Sequence, residues 1–89
     1  MELPKKPGQP LLVLYDVSND KVRYRVSEAC KDYGMQRFQK SVFIGRLTRA
    51  ARQELEMRLD KEFGHASGVV QLIPLEIASL AQAWLRENP

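Results

Sequence analysis

Apolar residues follow two different periods along the chain, and the changes of period predict the order of its elements. Residues 11–15 (Leu-Leu-Val-Leu-Tyr) are a continuous apolar run without turn residues, which predicts a strand buried on both faces in the middle of a sheet. Apolar residues then recur at helical spacing over residues 20–33. Ser18 or Asn19 is a suitable N-cap for this helix, and Gly34 is a suitable left-handed C-terminal cap.

The pattern of apolar and polar residues also predicts the elements in the second half of the chain. Residues 35–47 interleave Phe, Val and Ile with polar residues, which favours either a hairpin turning near Lys40 and Ser41 or one long bent strand with a bulge. Thr48 is the expected cap of a second helix over residues 49–63, whose apolar residues repeat every four positions. A last strand over residues 69–73 ends at Pro74, which fits an edge position.

This order of elements predicts a ferredoxin-like α+β fold, βαββαβ, with an antiparallel sheet and both helices on one face. The other face of the sheet is then open, and we expect a second subunit to cover it. Three of the five prolines fall in residues 1–10, which we expect to form a flexible leader before a domain over residues 11–75. Residues 76–89 predict a short C-terminal amphipathic helix that docks on its own subunit or on a partner.

Length and composition fit one small domain. A chain of 89 residues buries only about 60% of its unfolded surface, so its core is marginal and a homodimer is the expected supplement. The single cysteine, Cys30, excludes a disulfide framework within the chain and suits a reducing cytoplasm. No apolar run approaches the roughly 20 residues of a membrane span, so we expect a soluble cytoplasmic protein with no membrane partner.

The net charge of +3 conceals an uneven distribution. Residues 21–52 carry nine basic and two acidic residues, which gives +7, whereas the rest of the chain carries five basic and nine acidic residues, which gives −4. Clustered Lys and Arg side chains displace counterions from a nucleic-acid backbone, so this segment indicates a phosphate-binding surface. A solvated helix face is the alternative interpretation of the same charges.

Asp16 is the first candidate for chemistry. It directly follows the apolar strand and precedes a helix, at the strand end where ligands commonly bind. Magnesium takes carboxylate oxygens and keeps several waters, so one Asp from each subunit of a dimer suffices for a site. The alternative is that Asp16 caps the helix or interacts with its dipole.

Other catalytic arrangements have little support in the sequence. His65 is the only histidine and is expected in a loop, so neither a histidine-based triad nor a zinc site has its ligands. Cys30 falls on the apolar face of the first helix, where a buried thiol is expected rather than a nucleophile. The aromatic residues Tyr15, Phe38 and Phe43 are expected to be core or interface residues rather than base-stacking ones.

Several segments together resemble the CRISPR-associated spacer-acquisition nuclease family, Cas2. The matching segments are Leu12-Val13-Leu14-Tyr15-Asp16-Val17-Ser18-Asn19-Asp20-Lys21, residues 22–25, Asp32-Tyr33-Gly34 and Arg37-Phe38-Gln39-Lys40-Ser41-Val42-Phe43. The strongest parts are the strand that ends in Tyr15-Asp16 and the Gln-x-Ser-Val-Phe segment over residues 39–43. The resemblance covers about residues 11–75.

The resemblance implies a function for the chain. It implies a homodimer that binds double-stranded protospacer DNA at the centre of the spacer-integration complex of antiviral CRISPR defence, while the integrase Cas1 joins the strands. It also implies a metal-dependent endonuclease, a phosphodiester hydrolase using magnesium or manganese, that acts on DNA or on single-stranded RNA.

The resemblance also assigns residues. Asp16 is the implied metal ligand and catalytic residue, and Tyr15 is its catalytic neighbour. The implied nucleic-acid-binding residues are Lys21, Arg23, Arg25, Arg37, Gln39 and Ser41. Phe43 is the aromatic implied to support the dimer and the site.

Three functions remain open from the sequence. The first is a DNA-binding adaptor without chemistry of its own, and the second is a metal-dependent phosphodiesterase with paired Asp16 carboxylates; one protein could do both. The third is a stand-alone endoribonuclease or toxin-like RNA-cleaving module with no role in spacer acquisition.

Overall fold

The computed structural model describes residues 7–88, and these residues form the predicted ferredoxin-like α+β fold. The elements in chain order are β1 (Gln9–Val17), α1 (Asp20–Asp32), β2 (Gln36–Gln39), β3 (Val42–Leu47), α2 (Arg49–Phe63), β4 (Gly68–Pro74) and α3 (Ile77–Leu80). The four strands form one sheet in the order β2-β3-β1-β4, and every neighbouring pair is antiparallel. Both long helices pack on each other and on one face of this sheet, around a single apolar core.

Local capping signals set the ends of the two long helices. The Asn19 side chain accepts a hydrogen bond from the Val22 N–H at 3.0 Å, so Asn19 rather than Ser18 caps α1. The Thr48 hydroxyl accepts one from the Ala51 N–H at 3.2 Å and caps α2 as predicted. Beyond α1, Gly34 adopts a φ of 76°, the left-handed conformation expected of it.

Strand β1 lies in the predicted central position, between β3 and β4, but helices cover only one of its faces. The odd-numbered residues from Leu11 to Val17 are buried against α1 and α2, on what we call the helix-covered face. Leu12 and Leu14 point the other way and are half-buried. Burial on both faces is therefore wrong for one chain, because both faces of β1 are apolar and the run hides the alternation of the strand.

The second face of the sheet, which we call the open face, has no helix packed on it among the described residues. The strand register assigns to it a set of mostly apolar side chains from three strands: Leu12, Leu14 and Asp16 of β1, Val42 and Ile44 of β3, and Val69, Gln71 and Ile73 of β4. Val69 and Ile73 are 49% and 39% exposed. A large apolar surface of this kind on a small domain is typical of an interaction surface.

The segment between the two helices is a hairpin that turns at Lys40 and Ser41, the first of the two predicted alternatives. A register shift between Arg37 and Gln39 adds a bulge to β2. Strand β4 is an edge strand, as predicted from Pro74.

The chain boundaries differ in detail from those predicted. β1 begins at Gln9, two residues before the expected domain start, because Gln9 and Pro10 pair with Leu47 and Arg46 of β3. Residues 1–6 of the predicted leader lie outside the described residues. No helix within residues 7–88 has the length and apolar character to cross a membrane.

The C-terminal helix is much shorter than predicted. It ends at Leu80 after one turn, and it contains no buried residue. Trp84 and Leu85, which the spacing places on an apolar helix face, are 83% and 59% exposed. A helix this short gains little stability without packing, and Leu80 is its only half-buried residue. The docking of the tail on its own subunit or on a partner stays a prediction.

Candidate nucleic-acid and metal site

Asp16 lies near the end of β1 and is exposed on the open face, paired in the ladder with Val69. It borders a shallow depression of about 430 Å³, lined by Leu14, Tyr15, Asp16, Ser41, Val42, Val69 and Gln71. The N-cap of α1 is Asn19, so the alternative role for Asp16 as a helix cap is wrong. Its carboxylate is therefore free to meet a ligand from solvent.

The backbone beside Asp16 is closely packed. Gly68 opens β4 with a φ of 137°, and a Cβ at this position would collide with the Asp16 carbonyl oxygen. The N–H of Tyr15 donates to the Ser41 carbonyl oxygen at 3.1 Å, which ties the hairpin turn to the end of β1. The depression around Asp16 thus rests on a fixed junction of three strands.

Tyr15 is adjacent to Asp16 in sequence, but its side chain lies on the opposite, helix-covered face of the sheet. The residue is 5% exposed, and its ring stacks on Phe43 with centroids 6.3 Å apart and planes inclined at 19°. Tyr15 borders both the depression of Asp16 and a second depression beside α1. The catalytic role that the resemblance gives to Tyr15 stays a prediction.

A second depression of about 290 Å³, which we call the basic depression, lies between α1 and the β2–β3 hairpin. Its lining residues are Tyr15, Asp20, Arg23, Tyr24, Ser27, Arg37 and Lys40. Three cations thus meet one carboxylate in this depression, so it favours an anionic ligand.

Arg37 is held in place within the basic depression. Its guanidinium carbon lies 4.7 Å from the centroid of the Phe43 ring, and its Nη1 donates to the Lys40 carbonyl oxygen at 2.5 Å. Within residues 7–88, neither Arg37 nor Lys40 makes an ion pair. Both charges are therefore available to phosphate.

Arg23 is the third cation of this depression and is partly neutralised. Its guanidinium donates to the Val17 carbonyl oxygen at 3.2 Å through Nη1 and pairs with the Asp20 carboxylate through Nη2. These contacts fix the side chain across the first turn of α1. Arg23 therefore adds a positioned donor, but less free charge than Arg37.

The predicted basic residues of α1 divide between two surfaces. Lys21 and Arg25 are exposed and lie one turn apart. Arg25 shares its helix face with Asp32, whose carboxylate pairs with Arg58 of α2 at 3.1 Å. Arg23 lies on the other flank, in the basic depression, so the three basic residues do not form one continuous row.

The remaining predicted residues surround the junction of the hairpin with β1. Gln39 is exposed opposite Val42, and Ser41 lines the depression of Asp16. Phe43 has no exposed surface, and from the core it contacts Tyr15 and Arg37, which line the basic depression. The role of Phe43 in a dimer stays a prediction.

The donors around Asp16 fit half of a magnesium site. No group of three or more His, Cys, Asp or Glu side chains within residues 7–88 could hold a metal ion. Asp16 shares its depression with Ser41 and Gln71, whose side chains carry neutral oxygens of the kind that magnesium accepts. A second carboxylate for the ion would have to come from a second copy of the chain.

Cys30 and His65 take the structural positions predicted for them. Cys30 is fully buried in the core, and this burial raises the pKa of its thiol to about 12 against a smaller lowering by the Arg37 charge. A thiol that remains protonated is not a nucleophile. His65 is exposed in the turn that follows α2.

Sequence reasoning missed two residues of the basic depression, Tyr24 and Lys40. Lys40 is predicted only as one of the nine basic residues of segment 21–52 and as a turn residue, although a cation in a hairpin turn beside Arg37 is a signal for anion binding. Tyr24 falls on the polar face of the predicted helix and is 62% exposed. An exposed aromatic residue between Arg23 and Arg25 is a signal for base stacking.

The chain matches known proteins over most of its length. A family model described as CRISPR associated protein Cas2 matches residues 10–83. A protein of Desulforudis audaxviator named CRISPR-associated endoribonuclease Cas2 is 47% identical over 64 residues, which are 72% of this chain and 60% of that protein. One of Chloroflexus aurantiacus named CRISPR-associated endoribonuclease Cas2 2 is 44% identical over 65% of this chain and 69% of that protein. The chain thus spans 60 to 69% of the length of these two relatives.

A longer relative and two solved structures extend the comparison. A protein of Thermoproteus tenax named CRISPR-associated endonuclease Cas1/endonuclease Cas2 fusion is 30% identical over 74% of this chain and 25% of that protein. The crystal structure of Streptococcus pyogenes Cas2 at pH 6.5 superposes with a TM-score of 0.74 at 26% identity, over 88% of this chain and 99% of that one. A hypothetical protein of Thermus thermophilus, TT1823, shares the fold, with a TM-score of 0.72 at 24% identity over 79% of this chain and 84% of that one.

Proposed function

Because the chain belongs to the CRISPR-associated Cas2 family, we propose that it acts in CRISPR spacer acquisition as a homodimer that binds double-stranded DNA. In this proposal the dimer is the central subunit of the integration complex, and Cas1 joins the strands. The name of the Thermoproteus tenax relative, a fusion of Cas1 and Cas2, supports the pairing with Cas1.

The observation that carries nucleic-acid binding is the pair of uncompensated cations in the basic depression. Arg37 and Lys40 lie together at the hairpin, and the one carboxylate that lines the same depression, Asp20, pairs with Arg23. When such cations neutralise phosphates, the counterions condensed on the nucleic acid are released, so binding is tighter at low salt. The exposed Lys21 and Arg25 add positive charge on the other side of α1.

The open face supports the homodimer. Leu12, Leu14, Val69 and Ile73 expose apolar surface there, and a second copy would cover it. A two-fold axis through this face would bring the Asp16 side chains of two copies to one interface, which is also what the incomplete donor set of one chain requires.

A second candidate function is metal-dependent phosphodiester hydrolysis at Asp16. The exposure of its carboxylate on the open face, beside Ser41, favours this function. Two Asp16 carboxylates would hold magnesium or manganese, and such an ion, when bound, activates water and stabilises negative charge on phosphate. The chain itself would orient the phosphate, with Ser41 at the depression and Arg37 on the far side of Tyr15. The names of the curated relatives make RNA a substrate to test beside DNA.

Arg37→Ala tests nucleic-acid binding against a matched control. The variant should weaken duplex DNA binding and reduce the slope of log affinity against log salt by about one unit, because one phosphate contact is lost. Arg58→Ala removes an arginine that Asp32 and Glu62 already neutralise, and it should leave the slope unchanged. Equal slopes in the native protein and Arg37→Ala would remove the basic depression from the interface.

Asp16→Asn tests hydrolysis. Labelled duplex DNA and single-stranded RNA are incubated with the native protein and the variant, with magnesium or manganese and with EDTA. If Asp16 holds the ion, cleavage should require metal and should fall at least a hundredfold in the variant, while duplex binding persists. Equal cleavage by both proteins would exclude Asp16 from the chemistry. Tight duplex binding without cleavage by either protein would leave the DNA-binding function alone.

A further inference from the structure

Tyr24 is an exposed aromatic residue on the wall of the basic depression. It lies on α1 in the same depression as Arg23, Arg37 and Lys40, and it is 62% exposed. An exposed tyrosine beside phosphate-binding cations offers a flat surface on which a nucleic-acid base can stack. The faces of bases inside a duplex are already stacked on their neighbours, so such a surface is accessible only to an unpaired base.

Two neighbouring residues of α1 interact with Tyr24. The Ser27 hydroxyl donates to the Tyr24 carbonyl oxygen at 2.8 Å, in the helix turn that carries the ring. Glu28 lies one helical turn after Tyr24, and hydrogen bonding to its carboxylate together with its negative charge raises the pKa of Tyr24. Because Glu28 repels phosphate at the hydroxyl end, a bound phosphate should lie toward the hairpin, near Arg37 and Lys40.

We propose that the basic depression is a subsite for one unpaired nucleotide of a single strand, with Tyr24 stacking on the base while Arg37 and Lys40 bind its phosphate. This rests on the proposed nucleic-acid-binding function and adds the class of nucleic acid that this subsite selects. The ribose and the base are not specified by the chemistry of the subsite, so both single-stranded DNA and single-stranded RNA are candidate ligands.

Tyr15 lies between the subsite and the depression of Asp16. Tyr15 borders both the basic depression and the depression of Asp16, at the same end of the sheet. A single strand held at Tyr24 therefore has a path past the hairpin turn at Ser41 to the open face. The subsite would thus direct unpaired strands, rather than duplex, toward Asp16.

The test is a binding experiment that needs no catalysis. Affinities of the full chain for single-stranded DNA, single-stranded RNA and duplex DNA of one sequence are measured by fluorescence anisotropy in EDTA. Tyr24→Ala should weaken binding of the single strands by roughly five- to a hundredfold, the range for loss of one base–aromatic stack, and leave duplex binding within about twofold. Tyr24→Phe, which keeps the ring, should stay within about twofold of the native protein for all three.

Two controls make the outcome decisive. Met57→Ala removes an apolar side chain of α2 that is 74% exposed, against 62% for Tyr24, and should change none of the affinities. A single strand that carries 2-aminopurine should lose fluorescence on binding to the native protein and to Tyr24→Phe, because stacking quenches this base, but not on binding to Tyr24→Ala.

Each remaining result either overturns or supports a proposal. Unchanged single-strand affinity in Tyr24→Ala, or an equal loss for single strands and duplex, would overturn the subsite while Arg37→Ala still reports on nucleic-acid binding in general. No binding of any nucleic acid by the native protein would overturn the proposed function and the subsite with it. A loss confined to DNA or to RNA would support the subsite and identify its ligand.

Discussion

The two faces of the sheet are built from the same strands but differ in what covers them. On the helix-covered face, Leu11 and Val13 are fully buried beneath α1 and α2. On the open face, Leu12 and Leu14 of the same strand keep part of their surface in contact with solvent. Asp16, the carboxylate of the candidate metal site, lies on the open face, whereas Tyr15 and Phe43 lie on the other.

The two faces therefore have different roles, one in folding and the other in assembly. The helix-covered face holds the core and supports the basic depression through Phe43, which lies under Arg37. The open face contributes less to the stability of one chain and exposes the surface that a second copy would cover. A substitution should therefore act on folding or on assembly according to the face that carries it.

The largest expected effect distinguishes Leu11 from Ile73, on the helix-covered and the open face. Leu11→Ala should lower the free energy of unfolding by about 2–5 kcal/mol, because it leaves a cavity in the core. Ile73→Ala should cost less than about 1.5 kcal/mol in dilute solution, because that side chain is already 39% exposed. Urea unfolding at several protein concentrations measures both. Equal costs in dilute solution would contradict the division into two faces.

A smaller expected effect, on the pH dependence of stability, tests whether water is excluded from the helix-covered face. The folded Cys30 thiol has a pKa of about 12, against 9.0 as its ordinary value. A raised pKa stabilises the fold fully below pH 9, and this contribution is lost as the pH rises toward 12, by roughly 1.4 kcal/mol for each pH unit.

The measurement is urea unfolding at pH 8 and pH 10.5 for the native protein and Cys30→Ala. The variant keeps every other group that ionises in this range, so the native protein should lose more stability between the two pH values than the variant does. The same loss in both proteins would mean that the thiol is not buried from solvent in the way the structure indicates.

The helices and their ends could be predicted from sequence because their signals are local. The α2 boundaries at Arg49 and Phe63 follow from Thr48, from the four-residue repeat and from Gly64. The end of α1 follows in the same way from Gly34. The tail helix could not be predicted correctly, since spacing indicates an amphipathic face but not whether anything packs against it.

The sequence indicates candidate residues for the site but not their arrangement. Asp16 and Tyr15 point to opposite faces because a strand alternates its side chains, and the apolar run concealed this alternation. The position of Arg37 over the Phe43 ring depends on pairing between β2 and β3, which neither residue reveals alone. The separation of Arg23 from Arg25, in contrast, follows from helix geometry alone, because residues two positions apart do not share a helix face.

The central claim, that the open face joins two copies of the chain, is tested most directly by the molar mass in solution. Light scattering should give twice the chain mass of 10.2 kDa for the native protein and for Met57→Glu, which places a charge on an exposed residue of α2. Leu14→Glu places a charge in the middle of the open face and should give 10.2 kDa, with the helical circular dichroism of the native protein. A native monomer, or a Leu14→Glu protein that remains a dimer, would contradict the claim.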